Sequence, residues 1–328
     1  MKTERWAIPA SFFSMVLGLT GLGNDWRAAA KLWGMPLWIG ELVMLLGVLV
    51  WATLLLLYGR KWCTSSAAAR AEIEHPIQCC FVSLVPVSTM LVGMALLPHS
   101  RLLAWVLCSA GAFGALAFGV WRHGGLWRGG REASATTPVL YLPTVAANLV
   151  SAIAASALGW PEVGQLFLGA GILAWLALGS VILGRLLTAE ELPPALRPTL
   201  GIQQAPPAVA LLAYSSLSSG PPDLIAHMLL GYALVQSLIV LRLMPWIRQP
   251  FTPGYWAFTF GATALAAGVM RFAEREGAGV FAPLAPVLFA AGNLVVLGLL
   301  VWTLLAMLEG RLLPGRAAIV PGTTRDSR

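Results

Sequence analysis

The stretch LVMLLGVLVWATLLLLY, residues 42–58, contains seventeen residues, and none of them is charged. A helix that crosses the hydrocarbon core of a membrane needs about 20 mostly apolar residues. Charged residues stand on both sides of the stretch, with Glu41 before it and Arg60 and Lys61 after it. The pattern therefore predicts a membrane-spanning helix over residues 38–58.

The composition of the whole chain agrees with that stretch. Of the 328 residues, 58% are hydrophobic and 11% are charged, whereas roughly 25% are charged in an average soluble domain. The net charge of +7 comes from basic residues in short connectors between apolar runs. They form no clustered face with interleaved aromatic residues, so nucleic-acid binding is not expected. The expected surroundings of the chain are the lipid bilayer.

Ten stretches are long and apolar enough to be membrane spans. They are 6–23, 38–58, 77–97, 102–121, 138–158, 163–184, 198–217, 224–243, 253–270 and 280–308. The spans leave only short connectors, so the sequence predicts one integral membrane channel domain over 1–328, all-α, with a short cytoplasmic tail at 309–328. Sixteen Lys and Arg residues lie on the side of the N-terminus and five lie on the other side. Because cytoplasmic loops carry the excess of basic residues, both termini are expected in the cytoplasm.

Proline positions divide the ten spans into two kinds. Pro9, Pro86, Pro143 and Pro206 lie inside odd-numbered spans, whereas the prolines of the even-numbered spans stay near the span edges. A proline kinks a helix and frees a backbone carbonyl, which lipid does not tolerate. The odd spans also carry more hydroxyl and amide side chains. We therefore predict five helical hairpins in a quasi-five-fold arrangement, with the odd helices inside and lining a central pore.

Small residues on the fourth span predict a close contact between helices. Gly111, Ala115 and Gly119 recur every four residues and would lie on one face of the helix. Such a ridge lets two helix backbones approach each other.

The ionisable residues limit the chemistry that is available. Only Glu41 and His227 fall within the predicted spans, both near span ends, so no mid-membrane relay for coupled transport is expected. The histidines and cysteines form no metal-binding or catalytic motif, so no enzyme activity, metal site or cofactor is predicted. A passive path remains. An uncharged pore inside a basic protein suits small anions, which hydroxyls, amides and helix dipoles would select.

Six segments resemble a known family, the bacterial TehA-type tellurite-resistance proteins, which are related to plant slow anion channels and to dicarboxylate transporters. The segments are AEIEHPIQCCFVSLVPVSTMLVG (71–93), LYLPTVAANLVSA (140–152), LFLGAGILAW (166–175), LRPTLGIQQAPPAV (196–209), LLGYALVQSLIVLRLMPW (229–246) and YWAFTFG (255–261).

The resemblance implies a homotrimer in the bacterial inner membrane, in which each protomer has its own pore for small inorganic anions. It also implies a gating phenylalanine on the ninth span, and the matching residue is Phe260, although Phe258 is an equal candidate by composition. Ser14, which follows Phe13, takes a pore-facing position that is often glycine in relatives. Gly179 and Ser180 stand where close relatives tend to have Glu-Pro.

Two other functions stay open at this point. A proton-coupled carrier for dicarboxylates such as malate would be a second kind of transporter, although the spans lack an ionisable residue for coupling. A non-conducting membrane scaffold with a closed pore would be a protein of a different class. The sequence identifies neither the physiological anion nor the opening stimulus.

Overall fold

The computed structural model describes residues 8–312. Within that range the chain is helical and contains no β-strand. The α-helices are α1 (Ser14–Trp33), α2 (Leu37–Thr64), α3 (Ser66–Glu74), α4 (Leu84–Leu96), α5 (Arg101–Leu126), α6 (Ala147–Ala157), α7 (Pro161–Thr188), α8 (Ala205–Leu217), α9 (Leu224–Ile247), α10 (Ala257–Ala273) and α11 (Phe281–Leu308). The predicted tail at 309–328 lies outside the described residues from 313 onward.

The chain crosses the membrane several times. Seven helical elements between residues 8 and 312 are long and apolar enough to span a bilayer, judged by length and composition. They are Leu37–Thr64, Gln78–Leu96, Arg101–Leu126, Pro138–Ala157, Pro161–Thr188, Leu224–Ile247 and Phe281–Leu308. The predicted spans 6–23, 198–217 and 253–270 are also helical where described, but they are not among these seven.

Burial separates the helices into two groups. In the most apolar window of Pro138–Ala157, 83% of the residues are buried, against 22% in Leu37–Thr64. We call α1, α4, α6, α8 and α10 the buried helices, and α2, α5, α7, α9 and α11 the outer helices. Each buried helix packs against the outer helix that follows it. The buried helices also contact one another in the order α1, α4, α6, α8, α10 and back to α1.

Every buried helix is preceded by a tighter 3₁₀ segment. These segments are Ala10–Phe13, Gln78–Ser83, Pro138–Tyr141, Pro194–Gln204 and Pro253–Trp256, and a π-helical turn, Leu142–Ala146, follows the third. We call the end of the bundle where they lie the 3₁₀ end, and the opposite end the far end.

The prolines mark the changes of helix type. Pro86 and Pro206 stand in the first turn of α4 and α8, Pro143 is in the π-helical turn before α6, and Pro9 precedes the first 3₁₀ segment. The sequence placed Pro86, Pro143 and Pro206 well inside their spans and Pro9 just inside the first span. The missing N–H of Pro86 and Pro206 is better tolerated in a first turn than in a helix interior, because the first turn of an α-helix contributes fewer intrahelical N–H bonds.

Hydroxyl side chains satisfy backbone carbonyls at the same junctions. Ser14 Oγ donates to the carbonyl of Ser11 at 2.6 Å, and Ser83 Oγ donates to the carbonyl of Cys80 at 2.7 Å. Thr259 Oγ1 does the same to Trp256 at 2.8 Å. Backbone groups in a membrane need partners inside the protein. Much of the polar content of the buried helices therefore satisfies backbone carbonyls.

The predicted small-residue ridge on α5 is confirmed. Gly111, Ala115 and Gly119 are buried. A Cβ added at Gly119 would lie 2.7 Å from the carbonyl oxygen of Pro143. The ridge therefore holds α5 against the segments that contain Pro86 and Pro143.

We expect Gly111→Ala to destabilise the protein by about 1–3 kcal/mol, as overpacking of a tight contact does. The added Cβ would lie 2.5 Å from Cγ of Met90 and 2.7 Å from the carbonyl oxygen of Pro86. Gly114→Ala is the matched control, because its Cβ would meet only Cβ of Pro86, at 3.4 Å. Thermal unfolding in detergent measures the difference, and equal melting temperatures for the two variants would contradict it.

Candidate functional site

Two cavities lie along the axis enclosed by the buried helices. The 3₁₀-end cavity has a volume of about 50 Å³ and the far-end cavity about 220 Å³. A single water needs roughly 10–15 Å³ on this measure. Both cavities therefore have room for water, and the far-end cavity has room for a small ion with part of its hydration shell.

All five buried helices, with their 3₁₀ and π-helical segments, contribute to the 3₁₀-end cavity. Its wall is mostly apolar, with residues such as Leu17, Leu84 and Val209. The polar lining residues are Ser11, Ser14, Tyr141 and Thr199. Carboxylates are absent from the lining of this cavity, as far as residues 8–312 define it.

Phe260, in the first turns of α10, is the residue that the two cavities share within the described range. Only 8% of its surface is exposed. The backbone beside it has little room to move, because a Cβ added at Gly261 would lie 2.7 Å from Cγ of Gln204 on the neighbouring segment. The backbone of α10 beside Phe260 is therefore tightly packed against the neighbouring segment.

The other predicted pore residues have different positions. Ser14 and Pro206 line the 3₁₀-end cavity. The carbonyl oxygens of Pro86 and Pro143 face the glycine ridge of α5, and their side chains line neither cavity. Pro9 stands outside both cavities, at the start of the first 3₁₀ segment.

The far-end cavity is not uncharged, which corrects the expectation from the sequence. Arg27 and Arg271 line it, together with Asn24 and Thr263. The sequence placed both arginines in connectors, because apolarity ends near residues 23 and 270. The helices continue to Trp33 and Ala273. Helices α1 and α10 therefore carry charged side chains on the faces that line the far-end cavity.

The match to known proteins covers almost the whole chain. Residues 7–304 match the family described as SLAC1, voltage-dependent anion channel. The chain belongs to this family. Membership of this family confirms the resemblance that was found in residues 71–93, 140–152 and 255–261.

Relatives within the SLAC1 family are both bacterial and plant proteins. The chain is 36% identical over 304 residues to the tellurite resistance protein TehA homolog of Haemophilus influenzae, covering 91% of this chain and 90% of that protein. It is 28% identical to the S-type anion channel SLAH3 of Arabidopsis thaliana, over 90% of this chain and 48% of that protein. For the guard cell S-type anion channel SLAC1 of the same plant the identity is 26%, over 83% and 52%. The chain thus spans about half the length of these two plant relatives.

This SLAC1-family chain also buries a carboxyl group that the sequence assigned to a connector. Asp25 is in α1 with none of its surface exposed, and neither carboxylate oxygen has a hydrogen-bond partner among residues 8–312. Asp25 lies close to Gly292 of α11, where an added Cβ would be 3.4 Å from Oδ2 of Asp25. The structure thus adds a buried carboxyl group on α1, two residues beyond the predicted end of the first span at residue 23. Helix α1 ends at Trp33, ten residues beyond the predicted end of the first span.

A buried ion pair fixes the start of the first 3₁₀ segment. Lys61 Nζ and Glu72 Oε2 are 2.8 Å apart, and the two side chains are 5% and 7% exposed. The backbone N–H of Ala10 donates to Glu72 at 2.8 Å, and Lys61 donates to the carbonyl of Ile8 at 3.1 Å. Tyr58 also donates its hydroxyl to Glu72. This ion-pair cluster ties α2 and α3 to the segment that carries Ser11 and Ser14.

Asp223, an acidic residue at the far end, has structural partners. Asp223 caps α9 by accepting the N–H of Ala226 at 3.0 Å, and it also accepts the hydroxyl of Tyr214. The Tyr214 hydrogen bond, followed by that of Ala226, holds the pKa of Asp223 below its usual range. Asp223 lines neither cavity.

Proposed function

We propose that the chain is a passive, gated channel for small anions. In this proposal ten helical segments cross the membrane as five hairpins, and the five buried helices surround a quasi-five-fold pore within one integral membrane domain. The observation that carries it is the position of Phe260 between two cavities that lie on one axis inside the ring of buried helices. A buried aromatic ring across a narrow apolar passage blocks water and ions until it rotates.

The charge distribution supports anions as the permeating species. No carboxylate side chain from the described range lines either cavity, and the far-end cavity carries Arg27 and Arg271. Rings of acidic side chains select cations, and arginine or lysine side chains select anions. In the 3₁₀-end cavity the Ser14 hydroxyl already donates to Ser11. It therefore has only its lone pairs left to offer, which bind no anion, so Ser14 narrows the passage instead of recognising the ion.

We further infer the surroundings of the channel. The excess of Lys and Arg on the N-terminal side favours a cytoplasmic location for both termini and for the 3₁₀ end. Similarity to a bacterial TehA homolog supports the bacterial inner membrane and a link to tellurite resistance. The exposed apolar side chains of the outer helices suit contact with lipid and with two further copies in a homotrimer.

Reversal potentials test the proposal most directly. We expect Phe260→Ala channels in planar bilayers to give a current whose reversal potential follows the gradient of chloride or nitrate. Malate and tellurite gradients rank the larger anions on the same membrane. A saturable flux that requires a proton gradient would instead identify a dicarboxylate carrier. A well-folded Phe260→Ala protein that stays silent for every anion would identify a scaffold.

A further inference from the structure

Arg271 stands in the last turn of α10, and its guanidinium lies in the wall of the far-end cavity. One of its nitrogens, Nη1, donates to the hydroxyl of Ser216 at 2.5 Å. This is its one side-chain hydrogen bond to another residue in the described part of the chain, and a guanidinium carries five N–H donors. Most of its donors therefore have no protein partner.

Three other cationic groups at the far end, Arg27, Lys31 and Arg275, are already engaged. Arg27 makes two hydrogen bonds to the carboxylate of Glu41, at 2.7 and 2.9 Å. Lys31 pairs with Glu274. Arg275 donates to the backbone carbonyls that end α8, including that of Ser215 at 2.6 Å.

Arg271 has no direct carboxylate partner of this kind in the described range. Across residues 8–312, no carboxylate oxygen lies within 4.0 Å of its nitrogens. Its positive charge faces a cavity with low-dielectric walls, where an electrostatic interaction is stronger than in bulk water. A cation in this position with no directly paired carboxylate attracts an anion.

A second donor lies in the lining of the same cavity. Asn24 of α1 lines it, and its amide makes no hydrogen bond to another residue between positions 8 and 312. A guanidinium and an amide group both donate hydrogen bonds and carry no net negative charge.

We propose that Arg271, with Asn24, forms a binding site for a small monovalent anion such as a halide or nitrate in the far-end cavity. The proposal rests on the proposed channel function, because the bound anion would lie on the same pore axis as the Phe260 ring. Arg271 is eleven residues from Phe260 along α10, or about 16 Å at 1.5 Å per residue. The site would therefore raise the local anion concentration at the mouth of the passage instead of holding the ion at the gate.

Anomalous diffraction from crystals of the full chain soaked in bromide tests binding without requiring conduction. We expect a bromide peak beside the guanidinium of Arg271 in the wild type and in Arg271→Lys, and no peak in Arg271→Gln. Arg101→Gln is the matched control, because Arg101 is an exposed arginine at the same end that lines neither cavity. A peak that persists in Arg271→Gln, or the lack of any peak in the wild type, would overturn the inference.

Conductance measurements in the Phe260→Ala background test whether the site affects anion flux. Removing the charge of Arg271 should raise the chloride concentration for half-maximal current from the far end about tenfold, the loss expected for one charge-assisted contact. Arg101→Gln should leave that concentration unchanged. If Phe260→Ala carries no current, the channel proposal fails while the bromide peak still decides the site. If it conducts and Arg271→Gln changes neither the peak nor the half-saturating concentration, the site alone is rejected.

Discussion

Phe260→Ala is expected to turn a nearly silent protein into one that passes a large anion current. The ring is the described side chain that both cavities share, so its removal joins them into one continuous passage. The backbone at this level is held between neighbouring segments, with Gly261 tight against Gln204. The surrounding helices therefore cannot close the gap by moving inward. Planar-bilayer or oocyte recordings at matched surface expression measure the effect.

Phe258→Ala is the control for that experiment. Phe258 stands two residues away on α10 and is equally buried, at 8% exposed. Its ring packs on Gly201, where an added Cβ would lie 2.7 Å from Cγ of Phe258, and it stacks on Tyr255 at 6.0 Å between ring centroids. Phe258 lines neither cavity. We expect its removal to cost stability, in the range of about 3–5 kcal/mol for a buried phenylalanine, and to open no current.

The two variants therefore separate gating from packing. A current of wild-type size from well-expressed Phe260→Ala, or a large current from Phe258→Ala, would contradict the assignment of Phe260. Phe260→Leu should conduct less than Phe260→Ala, because leucine fills more of the passage.

The second large effect is expected at the buried ion pair. Lys61→Met leaves Glu72 buried without its cation, and breaking one partner of a buried pair costs about 3–5 kcal/mol. Glu72 also accepts hydrogen bonds from Ala10 and Tyr58, so its displacement would release the start of the first 3₁₀ segment. We expect a clear fall in the melting temperature of the purified protein in detergent.

Lys31→Met is the matched control, since it makes the same change in an exposed pair. Lys31 contacts Glu274, and its side chain is 75% exposed. Exposed pairs contribute about 0–1 kcal/mol, so the melting temperature should barely change. The double variant Lys61→Met/Glu72→Leu should recover part of the loss, because it removes the unpaired charge. Equal effects of Lys61→Met and Lys31→Met would show that burial of the pair does not govern stability.

The outer helices are the part of the fold that hydropathy predicts well. The prediction 38–58 corresponds to Leu37–Thr64, and 280–308 corresponds to Phe281–Leu308. These helices have apolar side chains on most of their surface, so their composition alone distinguishes them from connectors. The buried helices are harder to delimit. Asp25 and Arg271 lie inside them, where protein and not lipid surrounds each side chain.

Likewise, the sequence predicted only some of the residues that line the two cavities. The resemblance of YWAFTFG pointed to Phe260, and the structure shows that this residue lines both cavities. The sequence also identified the prolines of the odd-numbered spans, but the side chains of two of them, Pro86 and Pro143, line neither cavity. Arg271 was missed because it falls one residue beyond the apolar run. When the direction of its side chain is unknown, a basic residue at the end of a span is assigned to the adjoining connector.

The sequence by itself determined the membrane environment, the helical class and the family, because hydropathy and sequence similarity are read along the chain. Only the tertiary structure decided which side chains meet inside the ring. It brought Lys61 to Glu72, left Arg271 without a carboxylate partner within 4.0 Å in the described range, and placed Phe260 between the two cavities. The physical reason is that these relations depend on how each helix is rotated about its axis and on its neighbours. Side-chain packing between segments far apart in the chain sets both.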